Sequence, residues 1–341
     1  ARMIGPNCMG VINTEPEFSL DATFSPTPAL RGSIGFVSQS GALGVAVLNA
    51  AADLSVGLTQ FVSMGNKADV SGNDLMEYWE NDPTTRVICM YLESFGNPRR
   101  FTEIAKRVSR KKPILIVKSG RTAEGARAAS SHTGAIAGAD LPVSAFLEQL
   151  GAIRANTITE LFDIAQALDR CPLPAGNRVA ILTNAGGPAI MATDACVNLG
   201  LVIADLSDAT RQALTDFLPA EASVHNPIDM IASATPEGYA KALRILLADD
   251  GVDMVIVINV KPLVGNPIAV MNEVGKTIPG QDKPIVAVMM ATEEFHEEIK
   301  NRPDLPPVYQ FPESAARALS KLARYASLRR RPLEQSIPVY E

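Results

Sequence analysis

Along this chain, short runs of apolar and mostly β-branched residues alternate with stretches whose apolar positions recur every three or four residues. The runs at 34–37, 58–62, 87–92 and 114–117 have the length and composition of buried strands. The segments at 41–54, 73–80, 99–108 and 141–151 carry the helical period. Strands that read as near-continuous apolar runs, each followed by a helix, predict a parallel sheet covered on both faces. A helical segment ending near Arg170 stops at Cys171-Pro172-Leu173-Pro174-Ala175-Gly176-Asn177, which cannot continue a helix. The pattern then starts again, with strands at 179–183, 201–204, 254–258 and 285–289 and helices at 188–198, 209–217, 236–247, 267–278 and 312–328.

The two halves answer each other at an offset of about 145 residues. Val37-Ser38-Gln39-Ser40-Gly41-Ala42 corresponds to Leu182-Thr183-Asn184-Ala185-Gly186-Gly187, each where a first strand turns into a first helix. In each half a later aspartate, Asp69 or Asp229, precedes a helix and an acidic turn leading into an apolar strand. The expected architecture is therefore α/β, with two flavodoxin-like three-layer domains on parallel sheets. The expected division is 1–31 as a strand end, turn and linker, 32–170 as the first domain, 171–177 as a linker, 178–331 as the second domain, and 332–341 as a C-terminal tail. The chain starts at Ala1 and its first ten residues read like the tail of something, so a fragment of a longer polypeptide is expected.

Composition narrows the class. The 341 residues are 47% hydrophobic and 20% charged, enough for two buried cores. A formal net charge of -6 argues against a nucleic-acid or anionic-membrane partner. No apolar run reaches the roughly 18 residues that would span a bilayer. Cys8, Cys89, Cys171 and Cys196 are scattered without metal-ligand spacing and read as reduced packing residues of a cytoplasmic protein, with no metal held by this chain.

Candidate chemistry starts at His132. It sits in Ala128-Ala129-Ser130-Ser131-His132-Thr133-Gly134, a run with almost nothing large enough to pack, after the strand that ends at Lys118. Such a segment is suited to touch a ligand, and histidine carries a proton or a phosphoryl group near neutral pH; a solvated surface histidine fits the same run. The turns Ser38-Gln39-Ser40-Gly41 and Asn184-Ala185-Gly186-Gly187 offer backbone amides at a helix start to a phosphate or carboxylate, although Ser, Asn and Gly are also ordinary helix caps. Glu93 ends the strand at 87–92 and so lies at the same sheet edge, where a carboxylate can orient an imidazole; a solvated strand-end glutamate is the plain alternative. His225 and His296 read as surface residues.

These residues carry a resemblance. Gly5-Pro6-Asn7-Cys8-Met9-Gly10, Ser38-Gln39-Ser40-Gly41-Ala42, Gly65-Asn66-Lys67-Ala68-Asp69, Glu93-Ser94-Phe95, Lys118-Ser119-Gly120-Arg121, Ser131-His132-Thr133-Gly134 and Asn226-Pro227-Ile228-Asp229, in this order, make the chain similar to the nucleoside-diphosphate-forming acyl-CoA synthetases, relatives of succinyl-CoA synthetase, from Gly5 onward. The resemblance implies that acyl-CoA and phosphate give an acyl phosphate, that a histidine takes the phosphoryl group, and that ADP or GDP receives it. His132 would be that histidine and Glu93 would bond its imidazole. Phosphate would lie between two opposed helix N-termini, those of Ser38, Gln39, Ser40 and Gly41 and of Asn184, Ala185, Gly186 and Gly187. Asn184, Val264, Gly265 and Asn266 match the places that hold the acyl group, although Lys261-Pro262-Leu263 departs from the succinate-type glycine pair. Asp69 and Asp229 would position loops.

CoA and ATP or GTP with Mg2+ are implied as ligands of the full enzyme, held mainly by a CoA-binding domain, of which 1–31 would keep only the tail, and by an ATP-grasp domain or subunit. The implied partners are acyl-CoA or a carboxylic acid, phosphate, and a homo- or hetero-oligomer. The isolated chain is expected to be inactive. Two other readings are an acyl-CoA-sensing part of a protein lysine acetyltransferase and a non-enzymatic nucleotide- or flavin-binding module; the presence of His132 favours the synthetase over the first.

Overall fold

The computed structural model of the protein describes residues 1–122, 124–125, 127, 140–261 and 266–331. The first half runs β1 (Gly10–Asn13), β2 (Leu20–Thr23), β3 (Arg31–Ser38), α1 (Gly41–Asp53), β4 (Leu58–Ser63), α2 (Gly72–Asn81), β5 (Val87–Leu92), α3 (Pro98–Val108), β6 (Ile114–Lys118), α4 (Asp140–Gln149), β7 (Ile153–Ala155) and α5 (Ile158–Arg170). Its parallel strands lie in the order β4-β3-β5-β6-β7. Counted along the chain this is 2-1-3-4-5, the flavodoxin-like winding.

The second half runs β8 (Arg178–Thr183), α6 (Gly186–Asn198), β9 (Val202–Ile203), α7 (Asp208–Thr215), β10 (Ile228–Asp229), α8 (Pro236–Leu247), β11 (Met254–Val260), α9 (Pro267–Gly275), β12 (Ile285–Met290), α10 (Glu293–Glu298), β13 (Val308–Tyr309) and α11 (Pro312–Arg330). The path β10-β8-β11-β12-β13 repeats the winding. Its second strand is split, with β9 beside Arg178 and Val179 and β10 beside Leu182 and Thr183.

Residues 10–23, expected as linker, instead extend the first sheet. β1 pairs antiparallel with both β2 and β4. Four-residue strands of mixed polarity are too short to show a period; backbone pairing holds β2 there, while β1 contributes the buried Ile12 to the core.

Helices α2, α3 and α4 cover one face of the first sheet, and α7, α8 and α9 one face of the second. The remaining faces are covered by α1 and α5 and by α6 and α11, and these meet in one continuous cluster that includes Phe36, Phe162, Ile181, Ala192 and Leu319. Between the sheets α5 is buried from Glu160 to Leu168, and Tyr309 Oη donates to the Asp163 carbonyl at 2.8 Å.

Candidate functional site

Parallel strands deliver their carboxyl ends to one edge, and the crevice opens where the winding reverses. In the first sheet that point lies between β3 and β5. Ser38 is fully buried, and its hydroxyl donates to the Ser40 carbonyl at 2.6 Å. Gln39 spans the reversal. Its amide N–H donates to Tyr91 O at 3.1 Å, and its side-chain Oε1 accepts from the N–H groups of Glu93 and Ser94 at 2.9 and 3.1 Å. Ser40 caps α1, accepting from Leu43 N at 3.3 Å. Gly41 lies against Met9 and Ser63.

The second sheet repeats this geometry between β8 and β11. The Thr183 hydroxyl donates to Ala185 O at 3.0 Å, as Ser38 does to Ser40. The Asn184 amide grips β11, donating to Val260 O at 3.0 Å and accepting from Val260 N at 2.9 Å. Ser38, Gln39 and Asn184 thus use their side chains to tie the turns together. One difference separates the turns: Ala185 has no side-chain acceptor, and Pro188 has no N–H to cap. Among the described residues the amides of Gly186 and Gly187 have no acceptor. Both glycines are exposed, and a Cβ on Gly187 would meet nothing within 4 Å. Open amides at the start of a thirteen-residue helix are chemically suited to an anion.

Glu93 follows β5, and Lys118 ends β6 in register with Leu92. The Glu93 Oε2 atom is buried and has no hydrogen-bond partner among the described residues. Lys67, on the loop after β4, donates to Ser94 Oγ at 2.7 Å. Lys118 donates to its neighbour's carbonyl at 2.5 Å. Burial lowers both ammonium pKa values below the ordinary lysine range, and the Glu93 charge opposes the fall. Lys67, Lys118 and Ser94 had no assigned role in the sequence reading. They stand in the matching motifs; Ser94 is the neighbour of Glu93 in the chain, whereas only the fold brings Lys67 and Lys118 there.

The other candidates lie apart or serve the framework. Asp69 holds the N-terminal segment: the Arg2 guanidinium, 2.9 Å away, and the Met3 amide draw its carboxyl pKa down. Asp229 Oδ1 accepts from Ile231 N at 2.9 Å, and its Oδ2 lies 3.5 Å from where a Cβ on Gly186 would stand. Asn266 caps α9, accepting from Ile268 N and Ala269 N. His132, Val264 and Gly265 lie outside the described residues. His225 is exposed as expected. His296 corrects its surface reading: it is half-buried against Phe295, with Nε2 buried and unpartnered, because the α10 face that carries it turns toward β12. A cavity of about 660 Å³ lies at the opposite, amino-end edge of the strands, lined by Arg31, Arg86, Arg170 and Lys283 among others, and none of the candidate site residues lines it.

Comparison with known proteins matches residues 31–168 to the succinyl-CoA ligase like flavodoxin domain and residues 179–317 to the Ligase-CoA domain. The chain is 40% identical over 332 residues to the alpha subunit of acetate–CoA ligase [ADP-forming] II of Pyrococcus furiosus, covering 95% of this chain and 71% of that subunit. It is 39% identical over 329 residues to acetate–CoA ligase [ADP-forming] I of Archaeoglobus fulgidus, covering 96% of this chain and 46% of that protein. Its fold matches acetyl-coenzyme A synthetase 1 of Ca. Korarchaeum cryptofilum, solved with phosphate and ADP, with a TM-score of 0.90 and 36% identity over 96% of this chain and 71% of that one.

Proposed function

The chain belongs to the nucleoside-diphosphate-forming acyl-CoA synthetases, relatives of succinyl-CoA synthetase, and from that premise we propose how its two switch points carry out the reaction. The chain is the catalytic core of an acid–thiol ligase that links acyl-CoA, phosphate and a nucleoside diphosphate to a carboxylic acid, CoA and a nucleoside triphosphate. The relatives matched over almost the whole chain are ligases, which speaks against a lysine acetyltransferase sensor and against a flavin module. In our reading the diphosphate is ADP, as in those relatives' names. CoA is held mainly by a domain outside this chain, and the nucleotide with Mg2+ by an ATP-grasp domain or partner subunit.

Phosphate enters at the helix starts of the two reversals, where the Gly186 and Gly187 amides supply open donors and the N-terminus of α1 adds its partial positive charge. An oxygen of phosphate attacks the acyl carbonyl, the C–S bond breaks, and the thiolate of CoA leaves, giving acyl phosphate. An imidazole nitrogen of His132 then attacks phosphorus, and the P–O bond to the acyl carboxylate breaks. The second imidazole nitrogen carries an N–H through this step, and Glu93 accepts it, which spreads the positive charge that forms on the ring. The phosphoryl group passes from the ring to the diphosphate on the neighbouring module.

The observation that carries this reading is the buried Oε2 of Glu93, without a partner among the described residues, beside the Ser94 turn at the reversal of the first sheet. A buried carboxylate oxygen without a donor costs stability, and an imidazole N–H would satisfy it. In the enzyme complete with its nucleotide- and CoA-binding parts, His132→Ala abolishes both turnover and acid-labile phosphate incorporation. Glu93→Gln slows phosphorylation by about 10², the scale of a lost orienting or acid–base group. Normal turnover by His132→Ala overturns the mechanism.

A further inference from the structure

The Glu93 corner holds more positive charge than its own carboxylate balances. Lys67 and Lys118 are both half-buried and both feel the Glu93 charge, and Lys67 also feels Lys118, yet neither comes within ion-pair distance of the Glu93 carboxylate among the described residues. Further out, Asp140 pairs with both Arg154 and Arg121. Among the described residues, two ammonium groups face one carboxylate at this corner, in a place where burial weakens screening by water.

The backbone at Lys67 is held with some cost. It adopts φ 53°, in the left-handed region that glycine or asparagine enters more easily. Three hydrogen bonds fix the loop against the N-terminal segment: Asn66 N to Pro6 O at 2.9 Å, Ala68 N to Gly5 O at 3.0 Å and Val70 N to Met3 O at 3.1 Å. A long cationic side chain at such a position is there for what its ammonium reaches. It reaches Ser94 Oγ at 2.7 Å, on the turn whose backbone Gln39 grips.

We propose that Lys67 is a positioning residue of the phosphoryl-transfer corner: it fixes the Glu93–Ser94 turn through Ser94 and, with Lys118, supplies the excess positive charge that receives phosphate while leaving Glu93 Oε2 open for an imidazole. This rests on the reading of Glu93 as the partner of the phosphorylated histidine. It goes beyond that reading by assigning the charge balance of the corner to two lysines that arrive from different loops.

The test compares Lys67→Met, Lys67→Arg and Ser94→Ala in the complete enzyme, with inorganic phosphate as the varied substrate. Lys67→Met is expected to raise the KM for phosphate at least tenfold and to slow acid-labile phosphorylation, with the KM values for CoA and nucleotide unchanged. Lys67→Arg is expected to restore most of the loss, which a purely structural role for the side chain does not predict. Ser94→Ala cuts the same link from the other side and is expected to slow phosphorylation without a comparable change in phosphate KM. Wild-type phosphate KM and phosphorylation rate in Lys67→Met, or in the event of its misfolding a wild-type phosphorylation rate in Ser94→Ala, overturns the proposal. His132→Ala and Glu93→Gln assayed alongside report on the histidine reading separately: if they are unimpaired while Lys67→Met loses phosphate saturation, the histidine reading fails and the cationic corner stands.

Discussion

The acids of this protein show what a carboxylate that only supports the fold looks like. Burial alone would raise the pKa of Asp74, but its Oδ2 accepts from the Ser71 amide and hydroxyl at 2.9 and 2.6 Å and its Oδ1 from Arg100 at 3.1 Å, and these donors bring it down to about 2. Glu80 is nearly as well served, by Arg107 and Lys111. Glu93 leaves one oxygen with no donor among the described residues. A carboxyl depressed in the folded state adds stability that is fully present above its ordinary value of 3.8 and is lost as pH falls through about 2. Asp74→Asn is therefore expected to cost about 1 kcal/mol in urea unfolding at pH 7, the scale of a lost helix-start interaction, and less at pH 2. An equal cost at both pH values would show that the charge contributes nothing. His132, read from its run of small residues, lies outside the described residues, whereas the places of Ser40 and Glu93 were legible in the sequence because a helix start and a strand end are local signals. Lys67 and the task of Gln39 were not, because Gln39 meets Glu93 across 54 positions of chain and only the winding brings them together.

At the scale of elements, the duplicated strand-to-helix turn is the feature the sequence displayed most plainly, and the structure separates its two copies. Ser40 caps its own helix. Ala185 followed by Gly186, Gly187 and Pro188 leaves two amides open. Glycine near a helix start is costly unless something must approach the backbone closely. At Gly187 the fold makes no such demand, since an added Cβ meets nothing within 4 Å and the residue is not in the left-handed region. Gly187→Ala is accordingly expected to stabilise the protein by about 0.4–1 kcal/mol, through the reduced freedom of its unfolded chain. Inorganic phosphate is expected to raise the thermal midpoint of the wild type, and Gly187→Ala is expected to lose much of that rise because the methyl crowds the approach to the amides. Full phosphate-dependent stabilisation in this variant would make the glycine a neutral choice. The hairpin β1–β2 shows the opposite case, an element hidden from the sequence because its strands have only four residues each and take their order from pairing with β4.

For the whole molecule, the Pro-rich stretch at 171–177 reads as a linker between two domains, and the cores of the two halves run into each other. Helix α5 belongs by chain order to the first sheet, yet its buried residues and those of α11 join one cluster that continues from Phe36 under β3 to Ile181 in β8. Tyr309 Oη bonds the α5 backbone from the second half, Arg170 donates to Arg302 O at 3.0 Å, and Arg110 donates to Leu328 O at 2.8 Å. The sequence could not show this fusion, since an apolar helix face does not say which sheet will cover it. The consequence for function is geometric: a ligand that bridges two reversals needs them held at a fixed separation, and a shared core sets that separation without further contacts. Leu319, fully buried on α11, is a direct probe. Truncating a core leucine removes its transfer energy and leaves a cavity, so Leu319→Ala is expected to cost about 2–5 kcal/mol. If the core is one cooperative unit, that cost lowers the amide-exchange protection of β3 and β5 in the first sheet as much as that of β8 and β11 in the second, within a single calorimetric transition. Loss of protection in the second sheet alone, or a second transition left where the wild type has one, would mean that the halves fold independently and meet as neighbours.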